Sequence, residues 1–320
     1  MSWTADDMPD LTGRTAVITG ANGGLGLASA IALARRGAHI VMAARDPAKT
    51  DDARAAVLAE VPGASLETVP LDLASQAGVR DAAATILAAH PSIDILLANA
   101  GVMAMPERRT EDGFEMQLAV NHLGHWTLVS RLLPSLLAAP AARIVTLTSI
   151  ARLNATSVDP ANPNLDGEYE DWRAYGQSKL AALQTALGLD DALRAAGAEA
   201  RALCAHPGIS HTDLQKRTVR EGGGGRQGPF WEAYAEQRGM PPEQGVLPQL
   251  RAATDPHARG GTLWGPRWGL SGPPTRKLLV RRGPIEAGIP GLWEASMALT
   301  GERMDVEAAA AAARAREATP

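Results

Sequence analysis

Tyr175 and Lys179 stand four residues apart in Tyr175-Gly-Gln-Ser-Lys179, a spacing that puts both on one face of a helix. A free phenol titrates at about pH 10, too high for ready proton exchange at neutral pH, and a nearby ammonium favours the phenolate. The pair is a candidate proton-transfer unit. In a chain with only three tyrosines, chance seldom supplies it. Ser149, closing Thr146-Leu-Thr-Ser149, offers a hydroxyl that can hold a carbonyl oxygen against Tyr175. A second constellation is Thr19-Gly20-Ala-Asn22-Gly-Gly24-Leu25-Gly26. Gly20 permits a sharp turn, and Gly24 and Gly26 remove side chains where a pyrophosphate and a helix start must meet. Gly20, Asn22, Gly24, Leu25 and Gly26 are its candidate cofactor-binding residues.

Further polar residues sit where a dinucleotide would extend. In Ala43-Ala44-Arg45-Asp46, neutral Ala44 stands where NAD-binding sites carry a ribose carboxylate. Arg45 suits a 2′-phosphate instead, so the expected cofactor is NADP(H). A one-residue shift would put Asp46 at the ribose. Asp72, with Leu73 beside it, can accept from an adenine amine. Asn99-Ala100-Gly101 lets the backbone pass close to the adenosine ribose.

The elements that must position these groups alternate regularly over the first 210 residues. Apolar runs at 14–19, 39–43, 66–71, 94–98, 143–148 and 200–205 read as strands. Residues 25–36, 47–60, 75–89, 113–138 and 171–196 read as helices. This pattern predicts an α/β fold, a doubly wound parallel sheet (Rossmann fold) with ligands at the carboxyl ends of the strands. The expected organisation is a single domain over 1–265 with a C-terminal extension over 266–320 packed on the body. A helix is expected near 241–254, a last strand near 261–265, and either a helix or a frayed tail at 307–316. The glycines at 222–225 read as a flexible break. Within 214–245, Phe230, Trp231 and Tyr234 read as a substrate lid or, alternatively, as packing for the extension.

Composition narrows the class of function. With 31 basic and 35 acidic residues among 320, net charge −4, a nucleic-acid partner is not expected. The lone Cys204 excludes a disulfide framework and reads as a core residue. His122 and His125 read as packing or capping residues, and no metal is expected. Asp190-Asp191 reads as a solvated helix face. The N-terminus lacks the basic start and apolar run of a signal peptide, and no run is long enough to span a membrane. The expectation is a cytoplasmic protein with a small-molecule substrate and no membrane partner; homo-oligomerisation stays open. Few lysines and many arginines suggest a GC-rich bacterial genome.

Over residues 14 to about 212 the sequence resembles the short-chain dehydrogenase/reductase family. The motifs are Thr19-Gly-x-x-x-Gly24-x-Gly26, Asp72, Asn99-Ala-Gly101, Asn121, Ser149, Tyr175-x-x-x-Lys179 and Pro207-Gly208. The resemblance implies that Tyr175 is the general acid/base and that Ser149 orients the substrate carbonyl. It implies that Lys179 binds the nicotinamide ribose and lowers the tyrosine pKa, and that Asn121 holds a relay water. Pro207, Gly208 and Ile209 would flank the nicotinamide, with Thr212 near its carboxamide. Asn121-His-Leu-Gly-His125, His206-Pro-Gly208 and the long gap from Ser149 to Tyr175 resemble the retinol-dehydrogenase-like branch and its soluble bacterial relatives. The stretch 154–172 would roof one side of the site. Thr148 departs from the serine usual there, and the anchor of animal members is missing. The implied activity is hydride transfer between NADP(H) and a carbonyl/alcohol pair on a bulky, largely apolar substrate. Alternatives are a catalytically idle NADP(H) sensor and a reductase of a ring C=C bond.

Overall fold

Aliphatic runs bounded by Gly, Asp and Asn produce strands whose two faces are both covered by helices, as a parallel sheet requires. The computed structural model describes residues 2–155 and 157–317. The strands are β1 Thr15–Thr19, β2 His39–Ala44, β3 Leu66–Pro70, β4 Ile95–Ala98, β5 Arg143–Leu147, β6 Arg201–Ala205, β7 Leu263–Pro266 and β8 Pro274–Lys277. They form one sheet in the order β3-β2-β1-β4-β5-β6-β7-β8. The first seven are parallel, and β8 pairs antiparallel to β7. The reversal of order between β1 and β4 opens the crevice in which such sheets bind ligands.

The helices are α1 Gly24–Arg35, α2 Pro47–Glu60, α3 Gln76–Ala89, α4 Met116–Leu118, α5 Gly124–Ala138, α6 Asp171–Ala195, α7 Asp213–Arg220, α8 Gly228–Arg238, α9 Pro242–Gly245, α10 Leu247–Thr254, α11 Arg282–Ala287, α12 Ile289–Thr300 and α13 Val306–Glu317. On one face, Leu33, Val57 and Leu250 from α1, α2 and α10 pack against Ile18, Ile40, Met42 and Val145. On the other, Val79, Trp126, Leu132, Leu189 and Ala309 from α3, α5, α6 and α13 cover Val17, Val41, Leu96 and Ile144. Helix starts follow local chemistry: Asp46 caps α2 with Pro47 in its first turn, Ser75 caps α3 and Glu170 caps α6. By contrast, α1 starts after Gly23 with no side-chain cap. Its first N–H groups are left for another acceptor.

The six expected strands of the first half are present, within a residue or two. Several elements differ from the sequence reading. The helix expected over 113–138 begins at Met116 and contains a π-helical turn, Ala119–Leu123, between α4 and α5. The segment 241–254 is two short helices meeting at Val246, each with a proline in its first turn. β8 lies in a Pro/Gly-rich stretch whose residues carry no apolar alternation to mark a strand. The glycines at 222–225 form a hydrogen-bonded turn: Gly223 N–H donates to Thr218 O (2.9 Å) and Gly224 N–H to Ala104 O (2.7 Å). Asp190 is buried rather than solvated, accepting from Ala202 N–H (3.2 Å) and pairing with Arg194 (3.2 Å). The Ala-rich end is a helix, α13. Before it, Glu302 receives Arg80 (2.9 Å) and Arg131 (2.8 Å), and Trp293 meets Trp126 edge-on at 5.2 Å. No helix among the described residues is long and apolar enough to cross a membrane.

Candidate active site

The carboxyl ends of β1, β4 and β6 converge on a narrow groove. At the end of β1, Gly20 has a positive φ of 68°, and its N–H donates to Ala43 O (2.7 Å). Gly26 lies beneath it, where a Cβ would collide with Gly20 O and come within 2.9 Å of Asn99 Nδ2. Only glycine lets α1 start so close to β1. Asn99 Nδ2 donates to Thr19 O (2.9 Å), and the N–H groups of Asn99 and Ala100 both donate to Thr19 Oγ1 (2.9 Å each). His125 Nε2 lies 2.9 Å from the same hydroxyl. One buried threonine thus ties the ends of β1 and β4 together.

Across the groove, Thr212 caps α7 and its methyl lies 3.3 Å from where a Gly24 Cβ would be. Pro207, Gly208 and Ile209 leave β6 beside it. Gly208 has φ 71°, and Ile209 N–H donates to Leu270 O (2.9 Å), so the C-terminal stretch backs this turn. Asn22 lies in the β1–α1 turn. The Leu25 side chain packs toward Gly245, leaving its backbone N–H in the uncapped first turn of α1. Arg45 is exposed just beyond β2, while Asp46 is occupied at the start of α2, accepting from Lys49 N–H (3.2 Å). Asp72 is partly buried past β3, with one oxygen accepting from Ala74 N–H (3.0 Å). Leu73 is buried, its carbonyl against Gly124. These residues fit a dinucleotide, because an uncapped helix start and a side-chain-free turn make a cradle for phosphate.

Deeper in the crevice lie Ser149, Tyr175, Lys179 and Asn121. Ser149 follows β5, near enough to the Tyr175 phenol to oppose the rise of its pKa, and its Oγ accepts from Ala151 N–H (3.2 Å). Lys179 Nζ donates to Leu147 O (3.2 Å) and lies 5.9 Å from the centre of the Tyr175 ring. Asn121, in the π-helical turn, donates from Nδ2 to Val102 O and Ser178 Oγ (2.9 Å each) and accepts Val102 N–H (2.8 Å). A Cβ on Gly101 would come within 2.8 Å of Asn121 Oδ1 and 3.2 Å of Lys179 Nζ. The backbone at 101 therefore passes directly over both groups. Thr148 Oγ1 donates to Lys179 O (2.6 Å), fixing α6 against the end of β5, and Ser178 Oγ donates within α6 to Tyr175 O (2.8 Å).

Electrostatics depart from the sequence reading. Burial pushes the Tyr175 phenol up to about 12, opposed only by Ser149. Burial also pulls Lys179 down to about 8. Desolvation disfavours both charged forms and outweighs any lowering of the phenol by the lysine.

Trp172, one turn before Tyr175, closes the 154–172 stretch expected to roof the site; the sequence does not single it out by itself. Its ring meets Tyr175 edge-on at 6.1 Å and lies 6.5 Å from Trp231 on α8. Its Nε1 donates to Gly224 O (3.0 Å). With Met103, Ala104, Ala151 and Leu214 it forms an apolar wall around Tyr175. Trp231, rather than the 61% exposed Phe230, faces this wall. The distant partners of Thr19 and Ser178 carry no mark in the sequence, since a strand threonine and a helix serine look alike wherever they occur.

His122 and His125 are buried packing residues. His122 meets Ser296 Oγ (2.7 Å), and burial lowers the two imidazoles to about 3 and about 4. Cys204 is a buried core thiol in β6, raised to about 11 by desolvation.

Similarity to known proteins agrees with this geometry. The chain is 41% identical to human (Homo sapiens) retinol dehydrogenase 13 over 209 residues, covering 65% of this chain and 62% of that one. It thus spans less than two thirds of that relative's length. It is 36% identical to mouse (Mus musculus) polyprenol dehydrogenase over 263 residues, 79% of this chain and 75% of that one. The crystal structure of an uncharacterized protein from Mycobacterium Paratuberculosis matches 95% of this chain and 99% of its own, with TM-score 0.78 and 36% identity. The short chain dehydrogenase model matches residues 14–222; the chain belongs to that family, and within it is similar to the retinol-dehydrogenase-like branch.

Proposed function

We propose that this chain transfers a hydride between NADP(H) and a carbonyl/alcohol pair on a bulky, largely apolar substrate. The observation that carries the reading is the buried Tyr175, walled by apolar side chains with Ser149 beside it and Lys179 one turn away. The chemistry the cofactor supplies when bound is the hydride. In reduction, the Ser149 and Tyr175 hydroxyls bind the carbonyl oxygen, and Tyr175 gives its phenolic proton to that oxygen. Lys179 Nζ returns a proton to the phenol and is itself resupplied from solvent through a water held at Asn121. The free N–H groups of α1 and the turn at Gly20, Asn22, Gly24, Leu25 and Gly26 hold the pyrophosphate. Asp72, Leu73, Asn99, Ala100 and Gly101 flank the adenosine half, and Pro207, Gly208, Ile209 and Thr212 the nicotinamide half.

Exposed Arg45, beside an Asp46 already engaged as a helix cap, supports NADP(H) over NAD(H). The wall of Trp172, Met103 and Leu214, with Trp231 behind it, supports an apolar substrate and a lid over 214–245. The names of the retinol and polyprenol dehydrogenases favour the same substrate class. The arginine-rich, lysine-poor composition supports a bacterial source, and the lone cysteine fits a reducing cytoplasm. Initial rates of NADPH and NADH oxidation against long-chain aldehydes and ketones, small keto acids and ring enones test the reading. Turnover of bulky carbonyls with NADPH is expected. Turnover confined to enones, or NADPH binding without turnover, would replace it by one of the two alternatives.

A further inference from the structure

At the opposite edge of the sheet, the amino ends of β2 and β3 and the carboxyl end of α3 bring together two imidazoles and a carboxylate. His39 opens β2, Glu67 is the second residue of β3, and His90 ends α3. In the β2–β3 register Glu67 stands beside Val41, so by strand alternation His39 and Glu67 share a sheet face. That is the face covered by α3. One ligand atom from each residue can be chosen so that all lie within 4.8 Å of one another. His90 Nε2 is 2.6 Å from Glu67 Oε1, and His39 Nε2 is 3.9 Å from Glu67 Oε2.

We propose that His39, Glu67 and His90 bind one divalent transition-metal ion of the zinc class. Two features go beyond an ordinary His–Glu ion pair. His39 Nε2 is buried and has no hydrogen-bond partner, a cost that a metal bond would remove. Its other ring nitrogen, Nδ1, lies 2.7 Å from Ser65 Oγ. An Nδ1–H donated to that hydroxyl leaves the Nε2 lone pair free and fixes the ring, the outer-shell arrangement that metal-binding histidines use.

Two imidazoles and one carboxylate suit zinc, cobalt, nickel or copper rather than magnesium or calcium. For metal bonds of about 2.0–2.2 Å, His39 closes on Glu67 from 3.9 Å while the 2.6 Å His90–Glu67 hydrogen bond opens to admit the ion, with water completing the shell. The three side chains are 13% to 34% exposed, so an ion can enter from solvent. The strand β2 separates this cluster from Arg45 by roughly 17–20 Å at about 3.3 Å per residue. The ion would therefore clamp the sheet edge rather than join the reaction.

The test uses the full chain without an affinity tag. Titration with Zn²⁺ alone, followed by calorimetry, should give one ion per chain. Co²⁺ should give ligand-field absorption bands of a low-coordinate imidazole–carboxylate site. His39→Gln and His90→Gln should each weaken Zn²⁺ at least tenfold, with circular dichroism unchanged. Ser65→Ala, which keeps all three ligands, should weaken it by about 10-fold. Absence of stoichiometric Zn²⁺ binding and of the cobalt bands in the wild-type chain would overturn the proposal, whatever the variants do. So would equal Zn²⁺ affinity in folded wild type and both glutamine variants.

Discussion

Replacing Tyr175 by Phe removes one oxygen and leaves the ring against Trp172, Met103 and Ala104. The structural loss is the phenol's polar contact on the Ser149 side, at most about 1 kcal/mol, partly offset because a buried hydroxyl no longer needs a partner. Thermal stability should therefore change little. Turnover should fall by about 10²–10⁴, the usual contribution of a positioned general acid, which is roughly 3–5 kcal/mol of barrier. The wild-type pH profile carries further information. With the phenol at about 12, Tyr175 stays protonated across the neutral range and can donate without a preceding ionisation. The reductive kcat/KM should therefore be flat in this range. It should decline as Lys179 loses its proton above its depressed value of about 8. Alcohol oxidation needs the phenolate, a fraction of about 10⁻⁵ at pH 7 for a phenol at about 12, so its rate should climb with pH. The assays are steady-state rates in both directions from pH 6 to 10, with NADPH fluorescence titration to show that the variant still binds cofactor. A Tyr175→Phe variant keeping more than about a tenth of wild-type turnover would refute the assignment of Tyr175 as proton donor.

Three further outcomes follow from named contacts. Arg45→Ala should weaken NADPH about 10–100-fold, the worth of a charge-assisted hydrogen bond, and leave NADH unchanged in parallel titrations. Trp231→Ala should raise KM for bulky substrates and spare small ones, with little change in melting temperature; a loss of about 3–5 kcal/mol with unchanged KM would mark a packing residue. Glu115 is buried, and desolvation lifts its carboxyl to about 7 even though it accepts from Gln117 and Leu118 N–H. A raised carboxyl favours the fold when protonated, so its contribution is full below the unfolded value of about 4.5 and is lost as pH rises through 7. Denaturant melts should therefore show Glu115→Gln gaining on wild type between these pH values, by about 3 kcal/mol.

What could be read from the chain was whatever is written locally. Strand periodicity, the Asp46-Pro47 helix start, the glycines between β1 and α1, and the Tyr175/Lys179 spacing are all contained within a few residues. The parallel order followed from that alternation. Properties that need a partner far along the chain could not be read. Asp190 beside Asp191 looks solvated until β6 arrives to donate Ala202 N–H. Trp172 looks like one more aromatic in an insertion until Gly224 and Trp231 lie against it. The phenol shift reversed sign because its cause is burial, which spacing does not encode. β8 takes its shape from pairing with β7 rather than from its own residues, two of which flank Thr275 and Arg276 as Pro274 and Lys277.

The π-helical turn at 119–123 has a bearing on how this scaffold can change. A π turn holds one more residue than an α turn, and such turns often mark functional positions. Loss of a single codon within it would let α4 run into α5 as an ordinary helix, with Trp126, Leu128 and Leu132 still seated in the core. Asn121, however, would lose its grip on Val102 and Ser178. A folded but disabled sibling is thus one deletion away, and restoring the codon would restore the site without disturbing the rest of the molecule.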